Sequence, residues 1–144
     1  MKAFYAGSFD PFTIGHLEIA KRALEIFGEL LIGVGYNESK RSERSAEERV
    51  GKIKTYFEGM PGVEVIAYEG LTAEVARQNG AGVLVRGVRN SIDFEKEKDL
   101  AAINLEVFGM PTVMLPALPS LSYISSSMVR ELSHFGEDVE KFLP

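Results

Sequence analysis

The chain has 144 residues, of which 45% are hydrophobic and 26% charged, and this suits a globular domain with enough apolar content for a core. The absence of cysteine excludes disulfides, thiolate metal sites and cysteine nucleophiles, and two histidines are too few for a dedicated transition-metal site. A formal net charge of -5 argues against a general affinity for nucleic acid, because such binding depends on basic surface.

Membrane association is not expected either. No apolar stretch approaches the roughly 18 to 20 residues that cross a bilayer. The first residues run into Gly7 without the apolar core of a signal peptide. We therefore expect a single cytoplasmic domain over residues 1–144.

Strand-like and helical segments alternate along the chain. Buried strands are predicted at five short apolar runs, residues 3–6, 30–35, 63–68, 83–88 and 112–115. Helices are predicted from near His16 to Gly28 and from a capping box at Ser45 and Glu48 to about Tyr56. Three more are predicted at about 72–79, 93–108 and 126–134. This alternation predicts an α/β fold, a Rossmann-like, doubly wound parallel sheet of five strands.

Parallel sheets of this kind bind ligands beyond the carboxyl ends of their strands. The segments expected there are residues 7–16, 36–44, 69–72, 86–89 and 117–127. The first of them, GSFDPFTIGH, makes a tight turn and then opens a helix at His16. A helix N-terminus presents unpaired N–H groups, and His16 can donate to a phosphoryl oxygen, so the segment indicates a phosphate site. The alternative is an ordinary Asp10–Pro11 turn with Thr13 as the helix cap and His16 on the surface.

Two further segments also carry groups that bind anions. Arg86 and Arg89 follow the fourth strand, where guanidinium groups suit bidentate phosphate contact. They could instead bridge to acidic neighbours such as Asp93, Glu95 or Glu97. Glu97 could likewise orient an arginine, contact a ribose or adenine group, or be a solvated helix charge. The run Ser122–Ser127 precedes the last helix and predicts a second anion site, with simple capping by one serine as the alternative.

Three segments together resemble the bacterial phosphopantetheine adenylyltransferase family. They are Gly7–His16, LVRGVRN at 84–90 with Asp93-Phe94-Glu95, and YISSSMVRE at 123–131. The resemblance implies a nucleotidyltransferase-type fold and an enzyme that transfers AMP from ATP to 4'-phosphopantetheine, giving dephospho-coenzyme A and pyrophosphate. It also implies magnesium held mainly by substrate phosphates, a homohexamer, and coenzyme A as a feedback ligand.

The resemblance assigns roles by position. His16, Lys40 and Arg89 match catalytic positions, with His16 stabilising the transition state. The acceptor-side positions are matched by Ser8, Lys40, Thr72 and Arg86. The ATP-binding positions are matched by Ser8, Phe9, His16, Gly87, Val88, Arg89, Glu97, Leu121, Ser122, Tyr123, Ile124, Ser125, Ser126 and Ser127. No residue matches a metal ligand.

Some positions depart from the family pattern. Ser8 replaces the usual threonine, Thr72 stands where an aliphatic residue is general, and Leu121 stands where an aromatic residue is frequent. The chain stops at Pro144, where members continue into a terminal helix, so that helix is expected to be truncated or naturally short. Two other functions remain open. One is transfer of an adenylyl or cytidylyl group to a mononucleotide or to a sugar or polyol phosphate, and the other is non-catalytic sensing of nucleotide or coenzyme A.

Overall fold

The structure is a computed structural model that describes residues 1–37 and 44–144. Strands and helices alternate through these residues as the sequence predicts. In chain order the elements are β1 (Lys2–Gly7), α1 (Ile14–Phe27), β2 (Glu29–Gly35), α2 (Ala46–Tyr56), β3 (Val63–Tyr68), α3 (Thr72–Gln78), β4 (Val83–Val88), α4 (Ser91–Phe108), β5 (Thr112–Pro116), α5 (Ser126–His134) and a final 3-10 turn (Glu140–Phe142).

The five strands form one parallel sheet in the order β3-β2-β1-β4-β5, which confirms the predicted doubly wound topology. From β1 the chain winds outward to β3 and then crosses back to β4 on the other side of β1. The strand order therefore reverses between β1 and β4. In open sheets of this type the ligand crevice lies at such a switch point.

Alternate residues of β1 build the two faces of the core. Ala3 and Tyr5 join the cluster that α1 and α2 cover, whereas Phe4 and Ala6 join the cluster beneath α3. A third, smaller cluster contains Ile124, Val129 and Phe142 and packs α5 against the rest of the domain. Burial on both faces explains why the strands are apolar runs and do not alternate between apolar and polar residues.

Side-chain caps set where the helices begin. Thr13 caps α1, so this helix starts at Ile14, two residues before the predicted start. Asn90 Oδ1 accepts from the Asp93 N–H, so α4 also starts earlier than predicted, at Ser91. At α2 the Ser45 hydroxyl accepts from the Glu48 N–H, as one half of the predicted capping box.

None of the helices within residues 1–37 and 44–144 combines the length and apolar content that crossing a bilayer requires.

Candidate active site

A cleft of about 380 Å³ lies beyond the carboxyl ends of β1 and β4, at the switch point of the sheet. It brings together residues as far apart in the chain as Tyr5 and Arg130. The predicted site residues that line it are Ser8, Phe9, His16, Arg86, Gly87, Arg89, Glu97, Leu121, Ile124, Ser125, Ser126 and Ser127.

Other predicted site residues lie elsewhere. Val88, Ser122 and Tyr123 do not line the cleft, and Thr72 does not line it either. The Thr72 hydroxyl is 2.8 Å from the hydroxyl of Tyr68, so its polar atom is engaged at the end of β3. Lys40 lies outside the residues that the structure describes. The roles of these residues therefore stay predictions.

The turn after β1 is held by aromatic packing. Phe9 has a φ of 49°, in the left-handed region that costs an L-residue about 1 to 2 kcal/mol. Its buried ring makes edge contacts with Tyr5, Phe12 and His16 at centroid distances of 5.0 to 5.2 Å. A Cβ on Gly7 would lie 2.9 Å from the same ring, so only glycine fits there. Burial of Phe9 offsets the cost of its backbone conformation and keeps the turn in one shape.

His16 is both a helix-capping residue and a cleft residue. The Thr13 N–H donates to His16 Nδ1 at 2.9 Å, and the His16 N–H donates to Thr13 Oγ1 at 3.3 Å. The two residues thus form a capping box in which Nδ1 is the acceptor. In a neutral imidazole the proton then sits on Nε2, because one ring nitrogen accepts and the other donates. Thr13 therefore caps the helix, as the alternative predicted, and His16 also lines the cleft.

The charge state of His16 follows from its surroundings. Burial, and then the positive charges of Arg89 and Arg86, lower the pKa of His16 to about 4. At neutral pH the ring is therefore uncharged, with Nε2–H as its donor. Such a ring can donate a hydrogen bond to charge developing on a phosphoryl oxygen, but it does not carry a positive charge of its own.

Arg86 is paired with a carboxylate from α4. Its Nε and Nη2 atoms donate to the two Glu97 oxygens at 2.9 and 2.8 Å, a bidentate arrangement. Its Nη1 atom donates to the Ala6 carbonyl oxygen at 2.6 Å. The Glu97 side chain is only 14% exposed. Among the predicted alternatives for Glu97, the geometry matches the orientation of an arginine.

Arg89 is held in a similar way, but closer to solvent. Its Nε atom donates to Asp93 Oδ2 at 3.0 Å, and its backbone N–H donates to the same oxygen at 3.1 Å. Both arginines therefore form the ion pairs that were the structural alternative to phosphate binding. Because both also line the cleft, the pairs orient guanidinium groups that face a ligand space.

The N-terminus of α5 closes the cleft opposite α1. The Ser125 hydroxyl accepts from the Met128 N–H, and the Ser126 hydroxyl donates to the Pro11 carbonyl oxygen at 2.7 Å. One serine therefore caps the helix and the next ties it to the turn after β1. Two helix N-termini, each with partial positive charge, meet at one cleft.

Several lining residues escaped the sequence reasoning. Arg130 lines the cleft and donates to the Asp10 carbonyl oxygen at 2.5 Å. Its position one helical turn after Ser126 was the available signal, because residues four apart share a helix face. Tyr5 and Ile19 also line the cleft, but within their segments they look like ordinary core residues. Burial raises the pKa of Tyr5, so its phenol keeps its proton.

Within residues 1–37 and 44–144, no group of three or more His, Cys, Asp or Glu side chains could hold a metal ion. The two carboxylates that line the cleft, Asp93 and Glu97, are each engaged by an arginine. Both carboxylates therefore orient arginines at the cleft.

The chain matches the cytidylyltransferase-like family over residues 4–132. It is 51% identical over 142 residues to a phosphopantetheine adenylyltransferase of Porphyromonas gingivalis, covering 99% of this chain and 93% of that protein. The protein of the same name from Phocaeicola vulgatus is 46% identical over 143 residues, covering 99% of this chain and 95% of its own length. That of Leuconostoc citreum is 43% identical, with 99% and 90% covered.

A similar fold occurs in a bifunctional NMN adenylyltransferase/ADP ribose pyrophosphatase from Francisella tularensis. The TM-score is 0.77 at 13% identity, and the match covers 99% of this chain and 44% of that one. At this identity the likeness shows the nucleotidyltransferase fold alone, whereas the sequence relatives share more than two fifths of their residues over almost the whole chain. The chain therefore belongs to the phosphopantetheine adenylyltransferase family.

Proposed function

We propose that the protein is an adenylyltransferase that moves AMP from ATP to 4'-phosphopantetheine, giving dephospho-coenzyme A and pyrophosphate. This is the penultimate step of coenzyme A biosynthesis, which we place in the cytoplasm. The observation that carries the proposal is the cleft itself, where a neutral His16 donor, two helix N-termini and the paired Arg86 and Arg89 face one space. The 51% identical relative bears the name of this activity.

The reaction needs no general base. The acceptor is a phosphate monoester with a second pKa of about 6, so at neutral pH it is mostly a dianion. One of its oxygens attacks the α-phosphorus of ATP, and the bond from that phosphorus to the bridging oxygen of pyrophosphate breaks. No proton has to be removed from the nucleophile. This explains how a neutral His16, which holds its only ring proton on Nε2, serves as a donor to the α-phosphate.

The main obstacle is repulsion between two polyanions. Each pair of unit charges at 4 Å costs about 1 kcal/mol in water and about 4 kcal/mol at an effective dielectric of 20. Arg86, Arg89 and the N-termini of α1 and α5 oppose this repulsion. Alignment of the acceptor with the α-phosphate contributes more, roughly 7 to 11 kcal/mol, because it removes the entropic cost of bringing the reactants together.

We assign the acceptor phosphate to the side of Ser8, Lys40 and Arg86, and the pantetheine arm to the neighbourhood of Thr72. The triphosphate and adenosine are assigned to the side of Arg89 and the segment 121–127. Magnesium would bind to the substrate phosphates and neutralise part of their charge. Coenzyme A, which shares the pantetheine arm, would compete as a feedback ligand.

A turnover assay tests the activity. The protein is incubated with ATP, magnesium and one acceptor at a time, and pyrophosphate release is measured. We expect release with 4'-phosphopantetheine and little with a mononucleotide, a sugar phosphate or a polyol phosphate. Preference for one of those acceptors, or for CTP over ATP, would contradict the assignment. Calorimetric binding of ATP and coenzyme A without any pyrophosphate release would instead indicate a sensor.

The outer surface of α4 supports the proposal that the protein assembles with itself. Asn104, which is 9% exposed, is the only buried residue along this helix of 18 residues. A stripe of four apolar side chains is instead exposed to solvent. They are Ile92 at 67%, Leu100 at 49%, Ile103 at 56% and Val107 at 65%. Exposed apolar surface of this kind marks an interaction site.

We assign this stripe to contacts between copies of the chain within a homohexamer. Leu100→Glu combined with Ile103→Glu should lower the mass measured by light scattering to that of a smaller species. Leu118→Glu, at a residue that is 44% exposed outside the stripe, is the matched control and should leave the mass unchanged. An unchanged mass in the double variant, or a monomeric parent protein, would contradict the assignment.

A further inference from the structure

Three arginines from three different elements donate to alternate carbonyl oxygens of the segment that contains the phosphate-binding turn. The pairs are Arg86 with Ala6 at 2.6 Å, Arg49 with Ser8 at 2.5 Å, and Arg130 with Asp10 at 2.5 Å. Two of the three arginines, Arg86 and Arg130, also line the cleft. Arg49 does not line the cleft, so any effect that it has on ligands passes through the backbone it holds.

The Arg49 side chain lies where two strands end and a helix begins. It is on α2 and only 4% exposed. Its Nη1 atom donates to the carbonyl oxygens of Ser8, at 2.5 Å, and Gly35, at 3.4 Å. Its Nε atom donates to those of Arg44, at 3.2 Å, and Ser45, at 3.3 Å. One guanidinium group thus joins the end of β1, the end of β2 and the beginning of α2.

This arrangement matters because Ser8 lies outside any helix or strand. Ser8 is exposed and follows the last residue of β1, so no ladder of backbone hydrogen bonds fixes it. A hydrogen bond from a charged donor is roughly twice as strong as one between neutral groups. The planar guanidinium also fixes the direction of its donors, which a lysine ammonium does not. Arg49 therefore holds the Ser8 carbonyl oxygen in place, while the Ser8 side chain faces the cleft.

We propose that Arg49 is a positioning residue that sets the direction of Ser8 toward the acceptor phosphate. The proposal rests on the proposed function in one respect, namely that Ser8 contacts the acceptor. Packing of α2 onto the sheet does not need this guanidinium, because Ile53, one turn further along, is fully buried in the core. Four hydrogen bonds of Arg49 run to backbone oxygens of Ser8, Gly35, Arg44 and Ser45.

Steady-state kinetics test the proposal. Arg49→Met should raise the KM for 4'-phosphopantetheine roughly 10-fold, the effect of losing a hydrogen bond to a charged group. The KM for ATP should change less than about twofold, and Arg49→Lys should recover part of the loss. Arg22→Met is the matched control, since Arg22 pairs with Glu18 within α1, neither residue lines the cleft, and both KM values should stay unchanged.

A double-mutant cycle separates positioning from general destabilisation. If Arg49 acts through Ser8, then Arg49→Met should add little to the acceptor KM in a Ser8→Ala background. Additive effects, or equal rises in the KM for acceptor and ATP, would overturn the proposal. If Arg49→Met does not fold, the cycle is run with Arg49→Lys, which keeps the charge but offers one nitrogen in place of the guanidinium.

Amide hydrogen exchange provides a readout that does not depend on turnover. Residues 7–9 should exchange faster in Arg49→Met than in the parent protein and in Arg22→Met. Unchanged exchange there would overturn the positioning role. Absence of turnover of 4'-phosphopantetheine by the parent protein would contradict the proposed function alone, because faster exchange in Arg49→Met would still support the role of Arg49 in holding the turn.

Discussion

Helices α1 and α4 both begin at the cleft, yet they pack in different ways. Along α1 the buried residues are Ile19, Ala20 and Ala23, so its apolar face meets the core as an amphipathic helix should. The part of α4 that faces the sheet instead begins with Asp93 and Glu97, which hold two arginines. The apolar stripe of α4, from Ile92 to Val107, is exposed to solvent.

This difference shows how polar side chains at the cleft change the packing of the helix that carries them. On α1 the candidate site takes only the first turn, because His16 lies at a capping position and the rest of the helix packs against the core. On α4 the carboxylates occupy two turns of the inner face. The apolar residues then need another surface, and we propose that a second copy of the chain provides one.

The contribution of α1 should appear in turnover. His16→Ala should lower kcat roughly 100- to 1,000-fold while ATP affinity stays close to that of the parent, as when one transition-state donor is removed. Stopped-flow measurement of product formation gives kcat, and calorimetry gives the affinity. His16→Asn keeps an acceptor for the Thr13 N–H and so separates capping from catalysis. His134→Ala, at the far end of α5, is the control, and equal turnover in His16→Ala and the parent would exclude the proposed role.

The end of β4 should contribute to binding. Arg89→Ala should weaken ATP affinity by about 10- to 100-fold, the range for a hydrogen bond to a charged group. Titration calorimetry with ATP and magnesium measures this change. Arg77→Ala, an exposed arginine in the last turn of α3, is the matched control. An Arg89→Ala protein that binds ATP as the parent does would show that Arg89 serves only its pair with Asp93.

Removing the charge of Glu97, a carboxylate of α4, should have a smaller effect on binding than the loss of Arg89. Glu97→Gln keeps the size of the side chain but removes the charge that orients Arg86. We expect the KM for the acceptor to rise roughly 2- to 10-fold, because a neutral hydrogen bond is weaker than a charged one. Glu95→Gln, which lies in an exposed pair with Lys98, is the control. If both variants behave alike, the inner face of α4 has no part in orienting Arg86.

The pH dependence separates His16 from the acceptor. NMR titration should place the pKa of His16 near 4, so kcat/KM for the acceptor should fall only as its phosphate protonates near pH 6.

The free energy of unfolding should depend on pH in a different way. Between pH 6.5 and 4 the unfolded chain binds a proton at His16 that the folded protein does not, so the free energy of unfolding should decrease as pH falls through this window. A His16 pKa near 6.5 would contradict the burial of the ring between Phe9 and Phe12.

Much of the fold could be read from local pattern. All five strands and five helices occur where the apolar runs and helical periods predict them, and the differences lie at the ends. Those ends depend on single side chains such as Asn90, whose capping bond starts α4 earlier. The site was predicted less completely. Arg130 was missed, although it lies one helical turn after Ser126, because its hydrogen bond to the Asp10 carbonyl oxygen joins residues 120 apart in the chain.

The sequence by itself determined the strand and helix pattern, the parallel sheet and the three segments that meet at its edge. These properties depend on periodicity and on turn residues, which act over a few neighbours. Only the tertiary structure decided which carboxylate holds Arg86 and that Arg49 holds the Ser8 carbonyl oxygen. Each of these depends on distances near 3 Å set by how helices pack on the sheet, and packing of that precision comes from the whole core.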